Sequence, residues 1–297
     1  MYESAGDPNR AAVDALIRAI AERTAARDAA GAARLRLEVA LRLRDDGRRG
    51  DAIESAEQAR RDLTRAGLTG DAMIARHLLT ELYAHVAGHL PETRDLLDEL
   101  LAAPSLPPVL PSRAALLERA AGINDQQRAV TMLLEAAGLH RDAGDTGAEA
   151  RVLLDALSRG LPTGSWVLIS RLDELMDEPI AAGLLPERSL PSVQAELCRL
   201  EAEGGRPRAA LDRARRHPGD HAVLRLREAW ALLMLGGNAE AEDLARPWAA
   251  DADGLYFWEA CLIVVRSLQA RDRQADAEAF LAGYDLELHD MDDVYFD

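Results

Sequence analysis

The chain has 297 residues, of which 48% are hydrophobic and 29% charged, and its 51 acidic against 35 basic side chains give a net charge of −16. This composition predicts a folded chain, and the negative charge argues against nucleic acid as a partner because the chain repels phosphate backbones. Ala, Leu, Arg, Glu and Asp dominate and only 4% of residues are aromatic, which favours helices over sheets. We therefore predict an all-α fold.

The N-terminal segment predicts a helix without a targeting signal. The first ten residues, MYESAGDPNR, lack the basic start and the apolar stretch of a signal peptide. Residues 8–27 are amphipathic with a proline at an early helical position, so we expect a helix that caps those that follow. No apolar run reaches the roughly 18 residues needed to cross a membrane, which predicts no membrane partner and a cytoplasmic protein.

Residues 42–64, RLRDDGRRGDAIESAEQARRDLT, predict two helices joined by a tight turn. Gly47 ends the first helix and permits the turn, because glycine tolerates a positive φ. Ala40 lies seven residues earlier and is small where the two helices cross. Three alanines follow Gly47 by five, nine and twelve residues and form one face of the return helix: Ala52, Ala56 and Ala59.

The same spacing recurs along the chain. It is complete around Gly205, Gly236 and Asp272, fits around Gly144 only with a slip of one residue in the second helix, and fits poorly around Gly88. The residues at the corresponding positions of the three complete matches are Cys198, Ala210, Ala214 and His217; Ala229, Ala241, Ala245 and Trp248; and Val265, Ala277, Leu281 and Tyr284.

This pattern resembles the tetratricopeptide repeat (TPR), a helix–turn–helix unit of about 34 residues. The turn points at 205, 236 and 272 are 31 and 36 residues apart, which suits that period, and the best matches cover 32–65 and 190–284. The resemblance implies an α-solenoid of about six to seven antiparallel helical hairpins, arranged as a TPR-like superhelix. It also implies a protein that binds other proteins.

Residues 103–111, APSLPPVLP, are the strongest break in the helical pattern. Their prolines forbid a continuous helix, so we expect a hinge between two groups of hairpins. The predicted organisation has N-terminal hairpins with a capping helix over 1–103, a Pro-rich hinge over 104–111, a C-terminal TPR-like array over 112–284 and an acidic tail over 285–297.

The C-terminal stretch 284–297, YDLELHDMDDVYFD, places apolar residues among six acidic ones. Two interpretations stay open. One is a disordered, solubilising terminus. The other is a segment, 285–297, that folds back onto its own helices and shields an arginine-bearing surface near Arg199 and Arg266.

The sequence offers no motif for catalysis. All 35 basic residues are arginines, which excludes a phosphate-binding loop with its lysine and a Schiff-base lysine. His85 and His89 have the i, i+4 spacing of metal ligands, but a turn at Gly88 would end the helix between them, so we expect packing or surface histidines. Cys198 and Cys261 lie in apolar helical runs and predict buried free thiols. No catalytic residue, metal ligand or cofactor is predicted.

In TPR arrays the first helix of each hairpin lines a concave groove, so the resemblance implies which residues face it. Apolar anchors with scattered arginines suit a peptide or helix that carries hydrophobic residues and carboxylates. Some of the residues are expected to pack in the core instead. The predicted groove residues are Arg34, Leu37, Leu41, Arg44, Leu82, Arg141, Arg199, Leu226, Trp230, Leu233, Met234, Arg266 and Gln269.

The predicted function is therefore a non-enzymatic scaffold or adaptor that binds a protein or peptide partner in a concave groove. The alternative is a regulatory module in which a bound peptide or small molecule moves the hinge at 104–111. An enzyme is the third interpretation. The oligomeric state and the identity of the partner stay open.

Overall fold

A computed structural model describes residues 8–86, 88–161, 165–176, 183, 190–217 and 221–291. Over these ranges the regular secondary structure is entirely helical, with fifteen α-helices, one short 3-10 helix and no strand. The predicted all-α class is confirmed. The helices fall into two compact units, residues 1–144 and residues 145–297.

The described part of the first unit contains seven helices, and each packs against the next along the chain. Helices α2 and α4 also contact each other, so the first helices of these two hairpins lie side by side. The seven helices are α1 (Pro8–Ala25), α2 (Ala29–Asp45), α3 (Arg49–Arg65), α4 (Thr69–Tyr83), α5 (Leu90–Leu101), α6 (Arg113–Ala121) and α7 (Gln126–Asp142).

The described part of the second unit contains eight α-helices and the 3-10 helix. From α10 onward each α-helix packs against the next, and α12 also contacts both α10 and α14. The elements are α8 (Thr146–Ser158), α9 (Trp166–Leu175), α10 (Leu190–Glu203), α11 (Pro207–Arg216), α12 (Ala222–Met234), α13 (Asn238–Ala249), α14 (Phe257–Gln269), α15 (Gln274–Ala282) and the 3-10 helix Leu288–Met291.

Small residues fill the predicted crossing positions of the hairpins. Ala40 on α2 has no exposed surface, and the same holds for the three alanines that follow Gly47 on α3. In the second unit Ala229 on α12 and Ala241 on α13 are fully buried in one hydrophobic cluster. Alanine suits these sites because its single methyl group lets two helix backbones approach closely.

The six turns that the spacing predicts each use a left-handed residue. At the end of α2, Gly47 has a φ of 73° and its N–H donates to the carbonyl of Arg44, while the N–H of Arg48 donates to the carbonyl of Leu43. This pair of bonds is a Schellman motif, which satisfies carbonyls at the helix end. All six predicted turn residues have a positive φ: Gly47, Gly88, Gly144, Gly205, Gly236 and Asp272.

One predicted hairpin is wrong. The spacing around Gly144 pairs α7 with α8, but α7 packs against α6 within the first unit, and that unit ends at Gly144. Helix α7 is therefore the second helix of a hairpin whose first helix is α6. The turn between α6 and α7 begins at Gly122, which has a φ of −64°, so it lacks the left-handed residue found at the six predicted turn positions.

The Pro-rich segment separates α5 from α6, as its prolines predict, and no helix is present between Ala102 and Ser112. It lies inside the first unit, whereas the division between the two units comes after Gly144. A hinge at 104–111 stays a prediction.

The described part of the acidic tail packs against the second unit. Met291 is only 3% exposed, and Leu286 and Leu288 pack on the same hydrophobic cluster. Tyr284 makes edge-to-face contacts with Phe257 and Phe280. Residues 292–297 lie outside the described residues, and shielding of Arg199 and Arg266 by the tail stays a prediction.

Both cysteines are free and buried, as predicted. Burial raises the pKa of the Cys198 thiol and of the Cys261 thiol to about 12. Both thiols are therefore protonated at neutral pH. A nucleophilic cysteine has to be a thiolate at that pH, so neither side chain is suited to that role.

A buried arginine joins three helices of the second unit. The Arg213 side chain on α11 is 3% exposed, and its guanidinium donates two bonds to Asp173 of α9, at 2.6 and 2.8 Å, and two to Glu201 of α10, at 3.0 and 2.9 Å. A fifth bond of 3.0 Å goes to the side-chain oxygen of Gln194. All five guanidinium N–H donors are satisfied, so this arginine is a structural element and not a surface charge.

Candidate interaction surfaces

The first helices of the second unit form a layer, because α12 lies between α10 and α14 and contacts both. We call this surface the first-helix layer. Of the predicted groove residues on it, Met234 is 45% exposed and Arg266 is exposed. Trp230, Leu233 and Gln269 are half-buried. The layer therefore presents an aromatic and aliphatic surface beside the exposed Arg266.

Arg199 lies on the same layer but is already engaged by two carboxylates. Its guanidinium bonds to Glu196, with an Nε–Oε2 distance of 2.9 Å, and to Glu203, with an Nη1–Oε2 distance of 2.6 Å. The hydrogen bonds that Arg199 donates to Glu196 and Glu203 raise the pKa of Arg199 above its usual range despite partial burial. An anionic partner would have to compete with both residues for this arginine.

Three predicted groove leucines belong to the core instead. Leu226 has no exposed surface, Leu82 is 2% exposed and Leu37 is 7% exposed. Their helices turn the apolar side inward, so these side chains pack in the cores of their own units and cannot contact a partner. Leu41 is half-buried and packs beside the core of the first unit.

Trp258 is a candidate that the sequence analysis missed. It lies on α14, eight residues before Arg266, so the two side chains are on the same side of the helix, about two turns apart. Its side chain is 46% exposed. The available signal was its position eight residues before Arg266, a predicted groove residue on the same helix.

The first unit contains an open cleft of about 420 Å³ at the ends of α2, α4 and α6. Arg44 contributes from α2 and is 3.3 Å from Glu81 of α4. Arg119 contributes from α6, and its Nη2 donates to the carbonyl oxygen of Thr80 at 2.9 Å. The lining residues are Arg44, Gly47, Arg49, Glu81, Leu82, His85 and Arg119.

In the first unit, Arg119 is a better candidate for a binding residue than the predicted Arg141. Arg141 is exposed, but it lies on α7, the second helix of its hairpin. The first helix is α6, and its Arg119 lines the cleft together with Arg44. Arg34 is also exposed but lies nearer the start of α2. Its Nε atom is 2.7 Å from Asp71 of α4.

The three neighbouring histidines of the first unit do not converge. The ring of His89 stacks on Tyr83 with a centroid distance of 4.7 Å, and His85 lines the cleft. Burial lowers the pKa of His77; the nearby Arg119 and Arg44 charges add to this, although Glu81 opposes it. In the part of the chain that the structure describes, no three His, Cys, Asp or Glu side chains form a group able to hold a metal ion.

Comparisons with known proteins bear on the fold alone. No protein-family model and no curated protein matches the chain. Among solved structures, the chain is similar to one described as Naa15/Naa10 bound to HypK-THB, with a TM-score of 0.50 and 16% identity. The match covers 92% of this chain and 41% of the other. The likeness confirms the predicted fold class, an α-solenoid of consecutive antiparallel hairpins.

Among the described segments, no helix is both long enough and apolar enough to cross a bilayer.

Proposed function

We propose that this chain is a non-enzymatic, TPR-like interaction module that binds a peptide or helix of a partner protein on its first-helix layer. The observation that carries the proposal is the arrangement of α10, α12 and α14 side by side, with Met234 and Arg266 exposed on neighbouring helices. Apolar and aromatic side chains next to an arginine suit a ligand segment with hydrophobic residues and a carboxylate.

Two further observations agree with this proposal. Trp230 and Trp258 add aromatic surface to the same layer, and tryptophan and arginine are the residues most often found at binding hot spots. The solved structure similar in fold is, by its description, a complex of Naa15 and Naa10 bound to HypK-THB. That description concerns the other protein and supports only the general idea of a binding scaffold.

Site-specific photo-crosslinking tests the location of the binding surface. A crosslinking amino acid replaces Met234 on α12, and a matched one replaces the exposed Asp243 on α13, a second helix. In lysate from the organism of origin, we expect a discrete crosslinked protein from position 234 and none from position 243. Equal crosslinking from both positions, or none from position 234, would contradict the proposal.

A further inference from the structure

A second cleft of the first unit lies at the other end of the hairpins from the cleft around Arg44. Helix α3 runs from Arg49, which lines that first cleft, to Arg65, which lines this one. The second cleft has a volume of about 880 Å³, within the usual range for small-molecule sites. Its walls are the end of α3, the first half of α4, the end of α5 and the start of the Pro-rich segment.

The lining is rich in hydrogen-bond donors. It contains four arginines and three hydroxyl side chains but a single carboxylate, Glu99, and its apolar part comes from Met73, Pro104 and two alanines. The arginines are Arg60, Arg61, Arg65 and Arg76, and the hydroxyls belong to Thr64, Thr69 and Ser105. A ligand that complements this lining presents acceptor oxygens.

Three of the four arginines have a carboxylate partner within the unit. Arg61 is 3.2 Å from Glu57, Arg65 is 3.0 Å from Asp62, and Arg76 is 2.5 Å from Glu99.

Arg60 differs from the other three. Its Nε atom is buried and has no hydrogen-bond partner, and among the described residues no carboxylate lies within 4.0 Å of its guanidinium. A buried donor without a partner costs free energy, and Arg60 also has no described carboxylate within ion-pair distance, so among the four arginines it has the most to gain from an incoming anion.

We propose that this cleft binds a phosphate group and that Arg60 is its main charged contact. A guanidinium presents a fork of donors that matches phosphate oxygens in pairs. A phosphate monoester carries nearly two negative charges at neutral pH, so it can engage Arg60 together with a second arginine or a hydroxyl of the lining. The apolar wall around Met73 then contacts the rest of the ligand. This site is separate from the first-helix layer and does not depend on the function proposed for it.

Isothermal titration with inorganic pyrophosphate tests the site directly on the full chain. We expect saturable binding, and the variant Arg60→Gln should weaken it by about 10- to 100-fold because a charge-assisted hydrogen bond to a partly buried group is lost. The matched control Arg18→Gln removes the same charge from an exposed site on α1 and should change the affinity by less than about twofold. Circular dichroism verifies folding, and if Arg60→Gln does not fold, Arg60→Lys takes its place, because it keeps the charge but loses the fork of donors and should also weaken binding.

Two further binding experiments identify the chemical class of the ligand. Citrate at matched ionic strength should bind much more weakly than pyrophosphate, because its carboxylates bring fewer acceptor oxygens to one point. Pelleting with phosphatidylcholine vesicles, with and without phosphatidylinositol 4-phosphate, tells a lipid headgroup from a soluble phosphate. Binding that depends on Arg60 in either phosphate arm supports the proposal. Absence of binding in both, equal loss in Arg60→Gln and Arg18→Gln, or citrate binding as tight as pyrophosphate would overturn it.

Discussion

Gly47 shows how a single backbone position fixes a turn. Its φ is 73°, and a Cβ built there meets no atom within 4 Å, so the demand for glycine comes from the backbone and not from crowding. We expect Gly47→Ala to lower the free energy of unfolding by about 1–2 kcal/mol, since an L-residue is strained in the left-handed region. Urea unfolding measures the change.

The control for this substitution is a glycine three residues away. Gly50 lies within α3, and a Cβ there also meets nothing within 4 Å. Gly50→Ala should raise the free energy of unfolding by about 0.4–1 kcal/mol, because alanine restricts the unfolded chain at no cost to the helix. If both substitutions changed stability in the same direction, the turn geometry would not be the cause.

His77 makes the stability of the folded chain depend on pH. Burial lowers its pKa in the folded chain below the usual value near 6.5, so the unfolded chain binds more protons in the interval between the two values. Stability therefore falls as the pH drops below about 6.5. We expect His77→Gln to reduce the loss of unfolding free energy between pH 7.5 and pH 5.5, measured by urea unfolding at both values. An unchanged or larger loss would contradict this account.

Among the helices, α9, α10 and α11 are joined by the hydrogen bonds of Arg213. Arg213→Leu leaves Asp173 and Glu201 without their shared cation, and we expect a loss of about 3–5 kcal/mol of unfolding free energy. Arg208→Leu is the control on the same helix: its side chain is 78% exposed and lies 3.9 Å from Asp212. That substitution should change stability by less than about 0.5 kcal/mol. Equal effects would mean that the buried network contributes no special stability.

The hairpins themselves are tested by enlarging a crossing residue. Ala241 on α13 is fully buried in the same cluster as Ala229 of α12, whereas Ala239 on the same helix is exposed. Ala241→Leu should destabilise the chain by about 1–3 kcal/mol because the packed helices must separate. Ala239→Leu should have an effect below about 0.5 kcal/mol. Thermal unfolding of the two variants separates packing at the crossing from a general effect of added bulk.

The sequence locates turns well where a left-handed glycine marks them, as at Gly47, Gly205 and Gly236. Gly144 also has a positive φ, so such a glycine does not distinguish a turn within a hairpin from a turn between hairpins. The α6–α7 turn has no such residue, since Gly122 has a φ of −64°, and the pattern therefore paired α7 with the wrong helix. The misplacement of Arg141 on a first helix follows directly from that error.

The candidate surfaces were harder to predict than the turns. A residue at a groove position on a helix can point along the surface or into the core, and the two cases differ by a small rotation of the helix about its axis. Leu226 lies in the core while Met234 on the same helix is 45% exposed. Arg60 was not found at all, because its importance depends on a cleft between α3, α4 and α5 that sequence spacing does not encode.

At the scale of the whole molecule, the acidic excess is distributed unevenly along the chain. Residues 1–144 carry 19 arginines and 22 acidic residues, a net charge of −3, whereas residues 145–297 carry 16 and 29, a net charge of −13. Both arginine-lined clefts described above belong to the nearly neutral unit. A negatively charged ligand thus meets less general repulsion at these clefts than the overall charge of −16 suggests.

Trp230 gives the most direct test of protein binding on the first-helix layer. Its side chain is half-buried on α12, and Trp248, equally half-buried on the second helix α13, is the matched control. The measurement is the affinity of each alanine variant for the partner crosslinked at position 234, alongside its unfolding free energy. We predict that Trp230→Ala loses at least about 2 kcal/mol of binding free energy, roughly thirtyfold in Kd, while Trp248→Ala binds like the wild type. Equal affinity losses in the two variants, or a Trp230→Ala variant that loses stability but no affinity, would contradict the account.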